Sequence, residues 1–146
     1  MNGSQQLIEP AEAVKLIRTA MEMRKNSYCP YSSFSVGAAL LAADGSLYTG
    51  CNVENAAYSV STCAERTAFV KAVSEGVTDF KAIAIVGGKS PEAEDYSWPC
   101  GVCRQVMREF CSPEEFVVIA AKNEKDYRCR TLAQLLPESF GPGNLV

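Results

Sequence analysis

The sequence predicts an α/β fold, a single-domain, three-layer α/β/α sandwich around a mixed five-stranded sheet that takes in residues 1–146. Three observations lead there. The chain has 146 residues, 47% of them apolar and 21% charged, the size and make-up of one ordinary globular domain. Short apolar stretches of strand length alternate along it with stretches of helical periodicity. No repeat, low-complexity tract or linker interrupts that alternation. Helices and strands alternating in this way pack as layers, helices covering the faces of a sheet.

Residues 10–26 read as an amphipathic helix. Pro10 suits the first turn, and Val14, Ile17 and Met21, with Ala13 and Ala20, form an apolar stripe. Residues 27–34 are a turn-like segment dense in aromatics. Residues 35–42 read as a buried strand, and the Asp44-Gly45 pair marks a hairpin that returns over 47–51. Residues 52–58 are too polar for core and too short for an element of their own. Loops held at strand ends are where binding residues concentrate. A second helix spans 63–75 and stops at Gly76. Residues 80–86 read as a central strand, 87–97 as a turn-rich surface connection and 100–110 as a third helix. A buried strand at 116–121 is followed by a turn at 123–125 and a fifth strand at 127–130. Thr131 caps a short helix through Leu136, which Pro137 ends.

A net charge of −3 with no run of Lys or Arg disfavours a polymeric nucleic acid, whose binding is largely electrostatic. A small neutral molecule is the expected partner. The first residues lack the basic start and apolar run of an export signal, and no stretch reaches bilayer-spanning length. A cytoplasmic location, away from membranes, is therefore expected, with the seven cysteines as reduced thiols or metal ligands. Cys29, Cys51, Cys111 and Cys129 read as small buried apolar side chains.

The other three cysteines fall in two stretches, Thr62-Cys63-Ala64-Glu65-Arg66 and Trp98-Pro99-Cys100-Gly101-Val102-Cys103. Three thiolates offer one metal ion a site with a coordination position to spare, and Glu65 stands two residues past the first as an acid/base. Both stretches open predicted helices, where free N–H groups and the helix dipole favour thiolate. Arg66 is placed to offset the remaining negative charge. The pattern matches the three-cysteine form of the zinc deaminase signature.

Other readings compete. Thr62 to Glu65 is also a capping box, in which Glu65 would merely bond the cap's N–H. Cys100-Gly101-Val102-Cys103 alone could be a redox dithiol, though that leaves Cys63 unexplained. A structural zinc site would need a fourth protein ligand, for which Cys51 is a candidate. Only the coincidence of both stretches favours catalysis.

The chain resembles the cytidine deaminase family in its short, three-cysteine form. Five separated motifs carry the resemblance: Cys-Pro-Tyr-Ser-x-Phe-x-Val-Gly-Ala-Ala-Leu (29–40), Cys-Asn-Val-Glu-Asn (51–55), Cys-Ala-Glu-Arg-Thr (63–67), Pro-Cys-Gly-Val-Cys-Arg-Gln-Val (99–106) and Leu-Leu-Pro-Glu-Ser-Phe-Gly-Pro (135–142). The resemblance implies one Zn2+ per subunit on Cys63, Cys100 and Cys103. It implies Glu65 as proton shuttle in converting cytidine and 2′-deoxycytidine to uridine and 2′-deoxyuridine with loss of ammonia, a step of pyrimidine salvage. It further implies that Phe34 stacks on the base, that the Ala64 carbonyl meets the exocyclic amine, and that Asn52 and Glu54 bond the ribose. Ala56, Tyr58 and Phe140 match residues that a neighbouring subunit contributes in a homotetramer; taken alone, Tyr58 and Phe140 read as core aromatics. Trp98 departs from the family pattern, where a small residue is common, and residues 57–62 are looser than usual. The alternatives are a deaminase of another cytosine-containing small molecule, a non-catalytic protein binding zinc or nucleosides, and a thiol oxidoreductase.

Overall fold

The computed structural model describes residues 6–146. Residues 1–5, on which the expectation about an export signal mostly rests, lie outside the described residues. Five strands form one sheet in the order β2-β1-β3-β4-β5. These are β1 (Ser35–Ala42), β2 (Leu47–Cys51), β3 (Phe80–Gly88), β4 (Val117–Ala121) and β5 (Tyr127–Thr131). The β3–β4 pair is parallel and every other pair antiparallel, so the sheet is mixed as predicted. Connection length accounts for this. The tight Asp44-Gly45 turn, with Gly45 at φ +93°, folds β2 back on β1, whereas parallel pairing of β3 and β4 needs the long crossover through a helix.

Side-chain alternation divides the core between the two faces of the sheet. Leu40, Ile83, Ile85 and Val118 point to one face, where they meet Phe69 of α2 (Ala64–Ser74), Met107 of α3 (Gly101–Phe110) and Leu132 of α4 (Leu132–Leu135). Ala39, Leu41, Ala84, Val86 and Ile119 point to the other, against Leu16 and Ile17 of α1 (Pro10–Met23). Three layers result, as the sequence predicts.

Two details differ from the sequence reading. The buried stripe of α1 is Ala13, Leu16, Ile17 and Ala20, while Val14 and Met21 sit at its margins. The helix lies close on the sheet because Gly37 has no side chain: a Cβ there would come within 1.9 Å of the Ala20 carbonyl oxygen. Of the four cysteines expected in the core, Cys51 and Cys111 are buried, but Cys29 and Cys129 are only partly so. Cys129 belongs to edge strand β5, where one flank has no neighbour to cover it.

Candidate active site

Both ligand stretches stand at helix N-termini on the same face of the sheet. Cys63 is the N-cap of α2, and Cys100 is the N-cap of α3 with Cys103 one turn further in. The chain reaches Cys63 in extended backbone, clipped by reciprocal hydrogen bonds between Val53 and Thr62, both 2.9 Å. These bonds decide against the capping-box reading. The Thr62 N–H is spent on Val53, Cys63 rather than Thr62 is the cap, and no side chain caps α2. Glu65 therefore has no structural task at the helix start, and it is buried at 5% exposure.

The Sγ atoms of Cys63, Cys100 and Cys103 all lie within 4.8 Å of one another. The Cys63–Cys100 separation is 3.8 Å, about what tetrahedral Zn–S bonds of about 2.3 Å require. Cys51 is not in this cluster, so among the described residues no fourth thiol closes the site. Three soft thiolate donors with one open position suit zinc better than a hard cation, and the cluster fits one Zn2+.

The electrostatics agree. Arg66 Nη2 lies 3.4 Å from Cys63 Sγ and 3.3 Å from the Ser61 carbonyl oxygen, which fixes its guanidinium beside the thiols. A hydrogen bond from Cys103, reinforced by Arg66, holds the Cys63 thiol well below the usual thiol range and so favours its thiolate. Donation to Cys63 and burial hold Cys103 protonated until a metal displaces the proton. Burial pushes the Glu65 carboxyl up to about 7, with a smaller contribution from Cys63. An acid poised near neutrality can give a proton and take one back.

A cavity of about 460 Å³ opens onto this cluster, lined by Phe34, Asn52, Cys63, Ala64, Glu65 and Cys100 among others. Phe34 is turned into place by Ser33, whose φ of 58° lies in the left-handed region. The Asn52 side chain is a clamp: Oδ1 accepts from the Val36 N–H at 2.9 Å and Nδ2 donates to the Phe34 carbonyl at 2.8 Å. Glu54 lies outside the cavity lining and accepts from the N–H groups of Tyr31 at 3.0 Å and Ser32 at 3.1 Å and from the Ser32 hydroxyl. Both residues thus brace the 27–34 segment that carries Phe34. Ala56, Tyr58 and Phe140 do not line the cavity, and Tyr58 and Phe140 are exposed at 74% and 58% rather than core. Residues 95–98 do line it. Turn-rich composition makes 87–97 a surface connection in the sequence; the two aromatics just before a ligand, Tyr96 and Trp98, are the available signal of more.

The model of the cytidine and deoxycytidylate deaminase zinc-binding region matches residues 10–120. The chain belongs to the cytidine deaminase family. A cytidine deaminase of Sporosarcina psychrophila is 50% identical over 131 residues, which cover 90% of this chain and 93% of that protein. One from Mycobacterium tuberculosis is 38% identical, covering 86% and 87% respectively. The crystal structure of the Burkholderia pseudomallei cytidine deaminase superposes with a TM-score of 0.78 at 44% identity, covering 86% of this chain and 97% of that one. The motifs named from sequence thus belong to a family whose solved members share this fold.

Proposed function

We propose that this chain, as one deaminase domain over 1–146, hydrolyses the C4 amine of cytidine and 2′-deoxycytidine, giving uridine or 2′-deoxyuridine and ammonia. The observation that carries the reading is a buried carboxyl, poised near neutrality, beside three thiols spaced for one metal ion in a cavity of nucleoside size. Cys63, Cys100 and Cys103 hold the ion. When bound, zinc supplies a Lewis acid that lowers the pKa of a coordinated water and so makes a nucleophile at neutral pH.

The chain's own residues do the rest. Glu65 holds a proton at its carboxyl and delivers it to N3 of the base, which makes C4 more electrophilic. The carboxylate so formed takes a proton from the attacking water and passes it to the departing amine. It then recovers the C4 hydroxyl proton as the C4–N bond breaks and C4=O forms, which leaves the carboxyl protonated as at the start. Arg66 keeps Cys63 anionic. Phe34 offers its ring face to the base, and the Ala64 carbonyl accepts from the exocyclic amine and so orients it. Asn52 and Glu54 keep unused hydrogen-bonding capacity for the ribose while they hold Phe34. With no basic side chain among the cavity-lining residues, and a carboxylate, Glu54, on the flanking loop, a free nucleoside is favoured over a nucleotide.

The exposure of Tyr58 and Phe140, and of Tyr28 and Tyr31 at 56% and 51%, supports a homotetramer in which Ala56, Tyr58 and Phe140 complete a neighbour's site. The seven free thiols suit a reducing, cytoplasmic setting and a role in pyrimidine salvage. Among the described residues no helix is long and apolar enough to cross a membrane.

The test follows absorbance loss when the purified, zinc-assayed protein meets cytidine, beside a Glu65→Gln variant. Native turnover, with activity down about 10²–10⁴-fold in a variant that keeps its metal, is the expected result. A zinc-loaded native protein that leaves both nucleosides untouched would refute the reading.

A further inference from the structure

One wall of the cavity has no part in the steps above. Asp95, Tyr96, Ser97 and Trp98 all line it, alongside Glu65 and Cys100. This wall is fastened at its root and along its length. At the root, Arg24 donates to the carbonyl oxygens of Gly88 at 2.9 Å, Ser90 at 2.6 Å and Pro91 at 2.8 Å, and also to that of Ser35 at 3.0 Å. Further along, the Tyr96 hydroxyl donates to Asp126, and its ring lies 4.5 Å from the Arg128 guanidinium carbon and 4.8 Å from Lys122 Nζ. The Trp98 ring packs on the core and carries the Arg130 guanidinium at 5.8 Å.

The opposite side gives no slack either. Ser97 and Phe34 converge on Gly87, where an added Cβ would stand 2.9 Å from Ser97 Oγ and 3.0 Å from Phe34 Cε1. Only bare backbone leaves room for both. Trp98 lines the cavity together with Cys100 and is separated from it by Pro99 alone, so this residue forms the metal end of the wall. A reacting base must turn its C4 edge toward the thiols and Glu65. A side chain fixed between core and cation cannot yield to extra bulk there, and packed walls exclude by volume.

We propose that Trp98 is a specificity-determining residue, whose indole limits the substituents a cytosine can carry on its reacting edge, at the C4 amine and the adjacent C5. The proposal rests on the cavity being a cytidine site. Its test compares kcat/KM for cytidine, N4-methylcytidine and 5-methylcytidine in the native zinc enzyme, Trp98→Ser and Trp98→Phe. A methyl group in a closed pocket is worth about tenfold or more. In Trp98→Ser the ratio of methylated substrate to cytidine should therefore rise at least about tenfold for one of the two analogues, and Trp98→Phe should restore most of the native discrimination. Unchanged ratios for both analogues would overturn the assignment.

Trp98 is the single tryptophan of the chain, so the native protein carries its own second readout. Titration with uridine to complete product inhibition should shift its emission, whether or not the serine variant folds. Constant emission would overturn the assignment independently. A native enzyme inert to cytidine refutes the functional reading, and the Trp98 assignment falls with it. Turnover with unchanged ratios removes the Trp98 assignment alone.

Discussion

At residue scale the site is organised by what burial does to a few charges. Glu65 is lifted to about 7 from an ordinary value of 4.5, chiefly because its charged form would lose water. A folded-state value above the unfolded one means the folded chain holds the proton more tightly. The stabilisation is complete below pH 4.5 and is lost as pH rises through about 7. In chelator-stripped protein the native chain should therefore lose up to about 3 kcal/mol relative to Glu65→Gln between pH 4.5 and 8. Urea unfolding of the two proteins across that range measures it, and parallel profiles would mean the carboxyl is not desolvated. Arg66 acts on the ligands instead. Arg66→Gln removes the donor 3.4 Å from Cys63 Sγ and should weaken zinc binding about 10–100-fold, read by competition with a chromogenic chelator. These residues were legible in sequence because two local patterns each supplied part of one donor set. The rival capping role for Glu65 could be dismissed only in three dimensions, since it turned on whether the Thr62 N–H was free, and a distant residue, Val53, had taken it.

Elements position those residues through close approach rather than through many polar contacts. Helix α2 lies on β2 because Gly50 is bare: a Cβ would meet the Ala64 carbonyl oxygen at 2.3 Å and the Ala68 nitrogen at 2.7 Å. Backbone atoms cannot swing aside, so Gly50→Ala must push the whole helix outward. The expected cost is about 1–3 kcal/mol in denaturant unfolding. Because α2 begins at Cys63 and carries Glu65, activity should fall by more than that stability loss explains, on the order of 10²-fold for a shift near 1 Å. Near-native activity in a well-folded Gly50→Ala variant would mean that the helix start is not what sets the geometry. Strand positions were legible because β1, β2 and β3 follow period-two or continuous apolar patterns with a clear Asp-Gly turn between the first two. The role of 87–97 was not. Its polar, turn-rich composition is that of any surface loop, and its place in the cavity comes from contacts with Arg24, Asp126 and Arg128 that no local pattern encodes.

Across the whole molecule, the aromatics left outside matter as much as those packed within. Phe140 is exposed, yet its segment is not loose: Gln105 Nε2 donates to the Phe140 carbonyl at 3.0 Å and Arg108 Nε to Ser139 Oγ at 2.8 Å. Arg104 Nη1 adds a bond to the Leu135 carbonyl at 2.7 Å. Helix α3, capped by the ligand Cys100, thus also ties down the backbone from which the exposed Phe140 projects. Sequence alone could not separate this residue from a core aromatic, since apolar patterning reports that a side chain leaves water and not which chain it leaves water with. If Phe140 completes a neighbour's site, Glu65→Gln and Phe140→Ala chains should complement. Each parent has a lesion in every site. Chains mixed in equal amounts, dissociated and reassembled at random should combine an intact Glu65 with an intact neighbouring Phe140 in about a quarter of sites. Activity should then rise well above the mean of the two separate preparations, and gel filtration should show one oligomeric species before and after mixing. Activity equal to that mean, from assemblies proven mixed by a mass tag, would place each site within a single subunit and leave the exposed Phe140 to oligomer contacts alone.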